Sequence, residues 1–446
     1  MVSSNTETQL TLTLHAEFLP NIRQTTLYIS LPTNLDPIIS LSESRRAVTV
    51  SLPEPYDDVS ETIKLPARVN DAARRVLEGQ HTGAGNGTRE KGGSGSGPGP
   101  GSGNREEREL SFRMQIDPDD TGGGLLRPED EVTNEEYVPW MAGDMGSYTR
   151  LGCRGCGNVV LDCSPTPAPG NTGSGWVWKD LPSGNWAEMM DFWHCHKPDT
   201  HDHDHGDHTV SIEERNSQVK GYGAANQVVA SSRTGLVDVA TFLVAEGDCR
   251  GLKIQNEISK TTSITCTQCN ALIALEDPIA NGWRLLKAAL SAYTPTKPEE
   301  DTTEEKGTWQ THPTETVVAA QLLELVERES ARRFVVHTGG KGGLLLWVFN
   351  PDLRYSTTST TKSNTTTARR GMKILYQETS NTEDLLSPEN GKPSSLSLEE
   401  LELPSEIYKS VYQTLGERNA ILPVSARGFR EWRVGILERF ERLNTN

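Results

Sequence analysis

The chain has 446 residues, a formal net charge of −17 and an apolar fraction of 34%. Its length is sufficient for two or three domains, while the low apolar fraction predicts that part of it lies in loops or inserts. The negative charge excludes a general binder of nucleic-acid phosphates, which requires clustered Lys and Arg. The sequence contains no run of about eighteen apolar residues, so a membrane span is not predicted.

The first residues, Met1–Glu7, lack a basic stretch followed by an apolar one. A secretory signal is therefore not expected. We expect a location in the cytosol or nucleus, where thiols stay reduced. In a compartment where thiols stay reduced, paired Cys-x-x-Cys motifs indicate metal sites rather than disulfides.

Alternation of apolar and polar residues predicts antiparallel strands in a β-rich N-terminal region, residues 1–82. Leucines alternate with threonines over 10–14, and apolar residues alternate with Thr and Ser over 48–52. The next segment, 83–104, consists mainly of Gly, Ser and Pro and is predicted to be a flexible insert. A further strand is predicted at 110–116.

All seven cysteines lie in the central region, 105–293. Four of them form two Cys-x-x-Cys pairs, Cys153 with Cys156 and Cys266 with Cys269. Each pair is followed by a residue that tolerates a positive φ, Gly157 or Asn270, and then by an apolar strand. This pattern is typical of zinc knuckles, and two knuckles supply the four sulfurs of a tetrahedral structural Zn²⁺. The alternative is four buried cysteines without a metal.

A Trp-rich segment between the two pairs is predicted to form a helix that opens at Pro182. Helical phasing places Trp193 on an apolar face and Cys195 on the opposite face, next to His196. Cys195 is accordingly a candidate nucleophile assisted by a histidine, a candidate metal ligand together with His196, or a structural residue. Acidic residues on the same face disfavour a thiolate there.

Two other cysteines are candidates for lesser roles. Cys249 follows an apolar run and has the basic neighbour Arg250, which makes it a second choice for a reactive thiol. Cys163 could replace one of the four knuckle cysteines as a metal ligand. The His-rich run at 201–208 is predicted to be a polar loop.

A polar linker, 294–307, is predicted to precede a mixed α/β region, 308–446. The Gly-rich segment 338–343 fails the P-loop pattern and predicts a hairpin turn between two strands. The other elements predicted in this region are a helix at 317–333, a strand at 373–377, a helix at 406–415 that stops at Gly416, and a last helix at about 426–443. The predicted fold class is α+β, with β-rich N-terminal and central regions around a discontinuous zinc site and a C-terminal region that ends in helices.

The combination of motifs resembles the family of HECT-like ubiquitin ligases, also called ubiquitin-conjugating-enzyme E2-binding proteins. The motifs that carry the resemblance are the two Cys-x-x-Cys pairs, Leu181-Pro-Ser-Gly-Asn-Trp186, Trp193-His-Cys-His196, and Ile421-Leu-Pro-Val424 with Phe429 and Trp432. The resemblance covers most of the chain outside the inserts at 83–103, 200–208 and 356–367.

The resemblance implies an E3 ubiquitin-protein ligase that binds a charged E2 enzyme and promotes ubiquitin transfer to protein substrates or to itself. It also implies a location in cytoplasm and nucleus, and cyclins among the partners. Six residues match cysteine and histidine positions of the family, namely Cys153, Cys156, Cys195, His196, Cys266 and Cys269.

No cysteine follows Cys269, so residues 270–446 cannot supply a thioester-forming thiol. If ubiquitin passes through a thioester, Cys195 is the first choice for that thiol and Cys249 the second. Otherwise the protein acts as an adaptor that orients the E2-bound thioester for attack by a substrate Lys. An alternative from another class is a non-catalytic, zinc-stabilised scaffold for other proteins in a nuclear complex.

Overall fold

The structure is a computed structural model that describes residues 11–32, 36–79, 108–118, 137–162, 175–181, 228–255, 262–295, 307–358, 368–386 and 398–442. It is dominated by strands, in agreement with the β-rich character that the alternating patterns predict.

The strands, in chain order, are β1 (Thr13–Leu19), β2 (Gln24–Leu31), β3 (Ile38–Leu41), β4 (Ala47–Ser51), β5 (Ser60–Lys64), β6 (Arg108–Gln115), β7 (Arg150–Cys153), β8 (Val159–Leu161), β9 (Val177–Asp180), β10 (Thr234–Val237), β11 (Thr241–Val244), β12 (Leu252–Gln255), β13 (Ser263–Cys266), β14 (Leu272–Asp277), β15 (Gly282–Leu286), β16 (Leu290–Pro295), β17 (Gly307–Gln310), β18 (Arg333–His337), β19 (Gly343–Thr357), β20 (Arg369–Thr379), β21 (Leu398–Glu402), β22 (Gly428–Phe429) and β23 (Trp432–Glu438). The α-helices are α1 (Ala72–Glu78), α2 (Thr314–Glu329), α3 (Glu383–Leu386) and α4 (Ser405–Ile421).

The chain divides into two compact units, Met1–Val132 with Arg332–Glu441, and Thr133–Ala331 with Arg442–Asn446. The first unit therefore combines the predicted N-terminal region with most of the C-terminal one. The second unit contains the predicted central region only from Thr133 onward, together with the predicted polar linker and α2, whereas β6 belongs to the first unit. We call them the terminal unit and the central unit.

The terminal unit contains a nine-stranded sheet with the main order β22-β23-β20-β19-β1-β2-β6. Strand β18 pairs with β19 in an antiparallel manner and with β21 in a parallel one. The hairpin predicted around the Gly-rich turn is therefore confirmed. A separate three-stranded sheet, β3-β4-β5, packs its alternating apolar residues into a shared core with β1, β2, β6 and α1.

The predicted last helix is wrong, because the residues from Trp432 to Glu438 form β23 and pair with β20. The apolar spacing that suggested a helix is compatible with a strand that is buried on both faces, since the consecutive residues Ile436 and Leu437 point to opposite faces and are both buried here. Gly435 disfavours a helix interior, and a Cβ on it would lie 2.7 Å from a methyl group of Leu415. Tertiary pairing therefore outweighs the helical pattern.

The predicted end of α4 at Gly416 is also wrong, since the helix continues to Ile421. Its second half packs against β23, where Leu415 is buried and the Asn419 amide donates hydrogen bonds to the carbonyls of Arg427 and Val434. These contacts offset the roughly 1 kcal/mol that a glycine costs inside a helix.

The central unit contains two sheets. The larger has the order β12-β13-β14-β15-β11-β10-β9, and the smaller has the order β17-β16-β7-β8. Both sheets contribute to one apolar core. No helix in the described part of the chain is long and apolar enough to cross a membrane.

Candidate metal centre

The two Cys-x-x-Cys pairs lie in turns of nearly identical geometry. Strand β7 ends at Cys153 and β13 ends at Cys266, so each pair begins at the end of a strand. In the first turn the N–H of Gly157 donates to the carbonyl of Cys153 at 2.8 Å, and in the second the N–H of Asn270 donates to the carbonyl of Cys266 at 3.0 Å.

Each turn then reverses into the following strand. The N–H of Cys153 donates to the carbonyl of Asn158, and the N–H of Cys266 donates in the same way to Ala271. The turn requires a positive φ one residue before this reversal, and Gly157 adopts 75° while Asn270 adopts 60°. Glycine and asparagine adopt this conformation most readily, which explains why the sequence carries them there.

The two turns bring the four cysteine sulfurs together, all within 4.8 Å of one another. The Sγ atoms of Cys153 and Cys269 are 3.5 Å apart, as are those of Cys156 and Cys266. These separations far exceed the roughly 2.05 Å of a disulfide bond, and the cysteines are free thiols. We call this set the four-cysteine cluster; it could hold a metal ion.

The four-cysteine cluster is half inside the core and half at the surface. Cys153 and Cys266 are buried in the apolar core of the central unit, whereas Cys156 and Cys269 are exposed. Burial raises the pKa of the Cys153 thiol to about 12. At Cys266 burial acts in the same direction, but hydrogen bonds from the backbone N–H groups of Cys269 and Gln268 outweigh it and lower the pKa to about 6.

Asn158 connects the cluster to the loop before β12. Its side-chain Nδ2 donates to the Sγ of Cys266 at 3.5 Å and to the carbonyl of Gly251 at 2.9 Å. Its Oδ1 accepts a hydrogen bond from the Gln268 amide at 3.2 Å. The residue therefore links both knuckles, and a neighbour that orients a metal ligand in this way contributes to affinity.

Gly251 must be a glycine for this arrangement. Its φ is 61°, and a Cβ at this position would lie 2.3 Å from the Nδ2 of Asn158. The carbonyl of Gly251 also accepts hydrogen bonds from the backbone N–H and the hydroxyl of Thr267 in the second knuckle. A side chain at position 251 would displace the amide that contacts the sulfur.

Arg154 anchors the first knuckle to the start of α2. Its guanidinium donates to the carbonyls of Ala288 and His312, each at 3.2 Å, and contacts the Thr314 hydroxyl at 3.4 Å. The knuckle turn is thereby fixed from outside as well as by its own backbone.

Cys249, the second-choice nucleophile, lies apart from this cluster as a partly buried residue. Its Sγ contacts the carbonyl of Ala245, and its backbone forms an isolated bridge with Leu161. Burial, together with the charges of Asp248 and Glu246, raises the pKa of its thiol to about 12. A thiol with so little thiolate character is poorly suited to nucleophilic attack.

The remaining predicted site residues, Cys163, Cys195 and His196, lie outside the described residues, as do the Trp-rich segment and the His-rich run. Sequence reasoning missed the supporting residues Asn158, Gly251 and Arg154. Asn158 and Arg154 lie inside or next to the first motif, but their partners lie far away in the chain, and no local pattern indicates such pairing.

The fold and the cluster define a β-rich protein in which two knuckles from distant parts of one chain meet at a four-cysteine site. The chain belongs to the HECT-like ubiquitin-conjugating enzyme (E2)-binding family, whose model matches residues 17–434. The match includes both knuckles and strands of both units.

Two yeast proteins are similar to this chain, and both are named only as uncharacterized. The Schizosaccharomyces pombe protein is 24% identical over 324 residues, which cover 71% of this chain and 81% of that protein. The Saccharomyces cerevisiae protein is 24% identical over 258 residues, which cover 58% of this chain and 62% of that protein. No solved structure matches the chain.

Proposed function

We propose that this protein is an E3 ubiquitin-protein ligase that binds a charged E2 enzyme and promotes ubiquitin transfer to substrates and to itself. The observation that carries the proposal is membership of an E2-binding, HECT-like family over residues 17–434. We extend it to cyclins among the substrates and to a location in cytoplasm and nucleus, both on the family resemblance.

We further propose that the four-cysteine cluster binds one structural Zn²⁺ through Cys153, Cys156, Cys266 and Cys269. A tetrahedral zinc with bonds of about 2.3 Å places its sulfurs about 3.8 Å apart. The measured separations of 3.5 Å, within a cluster no wider than 4.8 Å, fit this geometry. The bound ion would supply a cross-link between segments that are 110 residues apart at Cys156 and Cys266.

Several properties of the protein's own residues support a structural role for this site. A closed set of four thiols leaves no ligand position for water or substrate, as is typical of structural rather than catalytic zinc. The second knuckle is fixed by Gly251 and Asn158, and the first by Arg154. A rigid centre of this kind can hold an E2-docking surface in one conformation, which reduces the entropy lost on binding.

The chemical route of transfer depends on which thiol, if any, receives ubiquitin. Among the described cysteines, four belong to the cluster and Cys249 has a raised pKa, so none of them is a good thioester nucleophile. We assign the thioester route, if it operates, to Cys195, the first choice from the sequence. In the adaptor route the protein only orients the E2-bound thioester toward a substrate Lys, and catalysis is due to orientation.

A reconstituted conjugation assay tests the function. The protein is incubated with the activating enzyme, an E2, ubiquitin and ATP, and the products are separated with and without reducing agent. We expect autoubiquitination that depends on both the protein and the E2. A thiol-sensitive adduct that disappears in Cys195→Ser, but persists in the matched variant Cys249→Ser, supports the thioester route.

Conjugation without such an adduct supports the adaptor route. Absence of conjugation across a panel of E2 enzymes contradicts ligase activity and favours the alternative of a non-catalytic scaffold.

A further inference from the structure

A row of aromatic and basic side chains crosses the small sheet of the central unit next to the cluster. The pairing register places Arg150 of β7 opposite Tyr293 of β16, and Tyr293 opposite Trp309 of β17. Directly opposed residues of antiparallel strands point to the same face. Their neighbours Leu151 and Ala292 point to the other face, where both are buried in the core.

The rings of this row contact one another. The guanidinium carbon of Arg150 lies 5.5 Å from the centre of the Tyr293 ring, and the centres of the Tyr293 and Trp309 rings are 5.5 Å apart. The Trp309 ring also lies over Gly152, where a Cβ would be only 3.1 Å from it. Gly152 immediately precedes Cys153, so the row lies directly beside the first knuckle.

Trp309 is held in place but not buried. It remains 47% exposed, and its strand β17 is the edge strand of the sheet among the described residues. A tryptophan side chain that its neighbours already hold in place loses little conformational entropy when a partner covers it.

The basic end of the row contains two arginines, Arg150 and Arg250. Arg150 contacts the Asp162 carboxylate at 3.4 Å and Arg250 contacts it at 3.7 Å, so two guanidinium groups share one carboxylate. Arg250 is 61% exposed.

We propose that this aromatic–arginine row, Arg250, Arg150, Tyr293 and Trp309, is the surface on which the E2 enzyme docks. Trp, Tyr and Arg are the residue types that dominate binding hot spots. The chemistry of the row fits an E2 surface that presents an apolar side chain to Trp309 and an acidic side chain to the two arginines. The inference rests on the proposed function, since it names where the E2 binds.

Fluorescence anisotropy of a labelled E2 catalytic domain tests the proposal. The probe is the E2 that the wild-type chain binds most tightly in a panel of recombinant E2 enzymes. We expect the Kd to rise at least about tenfold in Trp309→Ala and in Arg150→Glu. Between about 50 and about 300 mM NaCl the wild-type affinity should fall more steeply than that of Arg150→Glu, because a charge contact is lost.

Two variants in the terminal unit serve as matched controls. Phe349→Ala, at a residue that is 49% exposed, is the control for Trp309→Ala. Arg75→Glu, at an exposed arginine, is the control for Arg150→Glu. Both should keep the wild-type Kd. Retention of the wild-type Kd by either Trp309→Ala or Arg150→Glu overturns the proposal, and if Trp309→Ala fails to fold, Arg150→Glu alone decides.

Failure of the docking surface is distinguishable from failure of the proposed function. If the wild-type chain binds an E2 and the row variants bind it equally well, only the location is wrong. If the wild-type chain binds no E2, both proposals are overturned.

Discussion

The buried lysine in the central unit makes the stability of the protein depend on pH in a direction that the structure specifies. Lys287 is fully buried; its Nζ donates to the carbonyl of Pro139 at 2.9 Å and lies 5.1 Å from the centre of the Phe242 ring. Burial lowers its pKa from 10.5 to about 7, although Asp238, Asp180 and Asp144 oppose this shift.

The sign of the effect follows from proton counting. Between about pH 7 and pH 10.5 the unfolded chain keeps a proton on Lys287 that the folded chain has released. Stability therefore increases as the pH rises through this window. The difference of about 3.5 units between the two pKa values corresponds to roughly 5 kcal/mol in total, of which about 3 kcal/mol is gained between pH 7 and pH 10.

Urea unfolding of the wild type, Lys287→Met and Lys179→Met at several values between about pH 7 and about pH 10 measures this contribution. Lys179 lies in the same unit and is exposed, so its replacement controls for removal of one lysine. We expect Lys287→Met to lack the gain of about 3 kcal/mol that the wild type and Lys179→Met show. Equal pH dependence in all three proteins refutes the assignment of a buried, neutral Lys287.

Three further predictions concern single side chains. Asn158→Ala should release the proposed Zn²⁺ to a chelator about 10 to 100 times more readily than the wild type, with the exposed Gln310→Ala as control. Equal release rates contradict a role for the amide. Burial alone would raise the pKa of Glu17, but Lys373 and His15 lower it to about 2. The ionised Glu17 therefore contributes about 3 kcal/mol to the free energy of unfolding above about pH 4.5, and this contribution is lost toward pH 2. In urea unfolding, the difference in stability between the wild type and Glu17→Gln should shrink over that range. A constant difference argues against the ion pair. Leu415→Ala should lower the free energy of unfolding by about 2 to 5 kcal/mol, because it leaves a cavity between α4 and β23. The control Val424→Ala, at a residue that is 59% exposed, should change it little. Comparable losses in the two variants would mean that α4 does not pack on β23 as described.

The four-cysteine cluster was predictable because its geometry is encoded locally. A Cys-x-x-Cys turn needs one residue with a positive φ and a following strand, and Gly157 and Asn270 supply this in the sequence itself. The prediction that the two turns meet rested only on the chemistry of zinc, since a structural zinc ion takes four ligands. The supporting contact between Asn158 and Gly251 was not predictable, because it joins residues 93 positions apart.

The same distinction between local and distant information explains the errors in the fold. The hairpin at the Gly-rich turn follows from adjacent residues, and it was correctly predicted. The identity of β23 depends on pairing with β20 and on the fit of Gly435 against Leu415, neither of which a helical or strand period reveals. Strands β1 and β19 pair in one sheet, although their paired residues Phe18 and Arg354 are far apart in the chain. Dividing the sequence into consecutive domains cannot predict such a pairing.

The most direct test of the account is a single-turnover measurement of ubiquitin discharge from a preformed E2–ubiquitin thioester onto lysine or onto the protein itself. The wild-type chain should accelerate the discharge, and Cys266→Ser, which removes one sulfur of the cluster, should abolish both the acceleration and the stoichiometric zinc. A discharge rate that the wild-type chain leaves unchanged would contradict the proposed ligase activity. Full acceleration by a protein that contains no metal would contradict the role of the cluster.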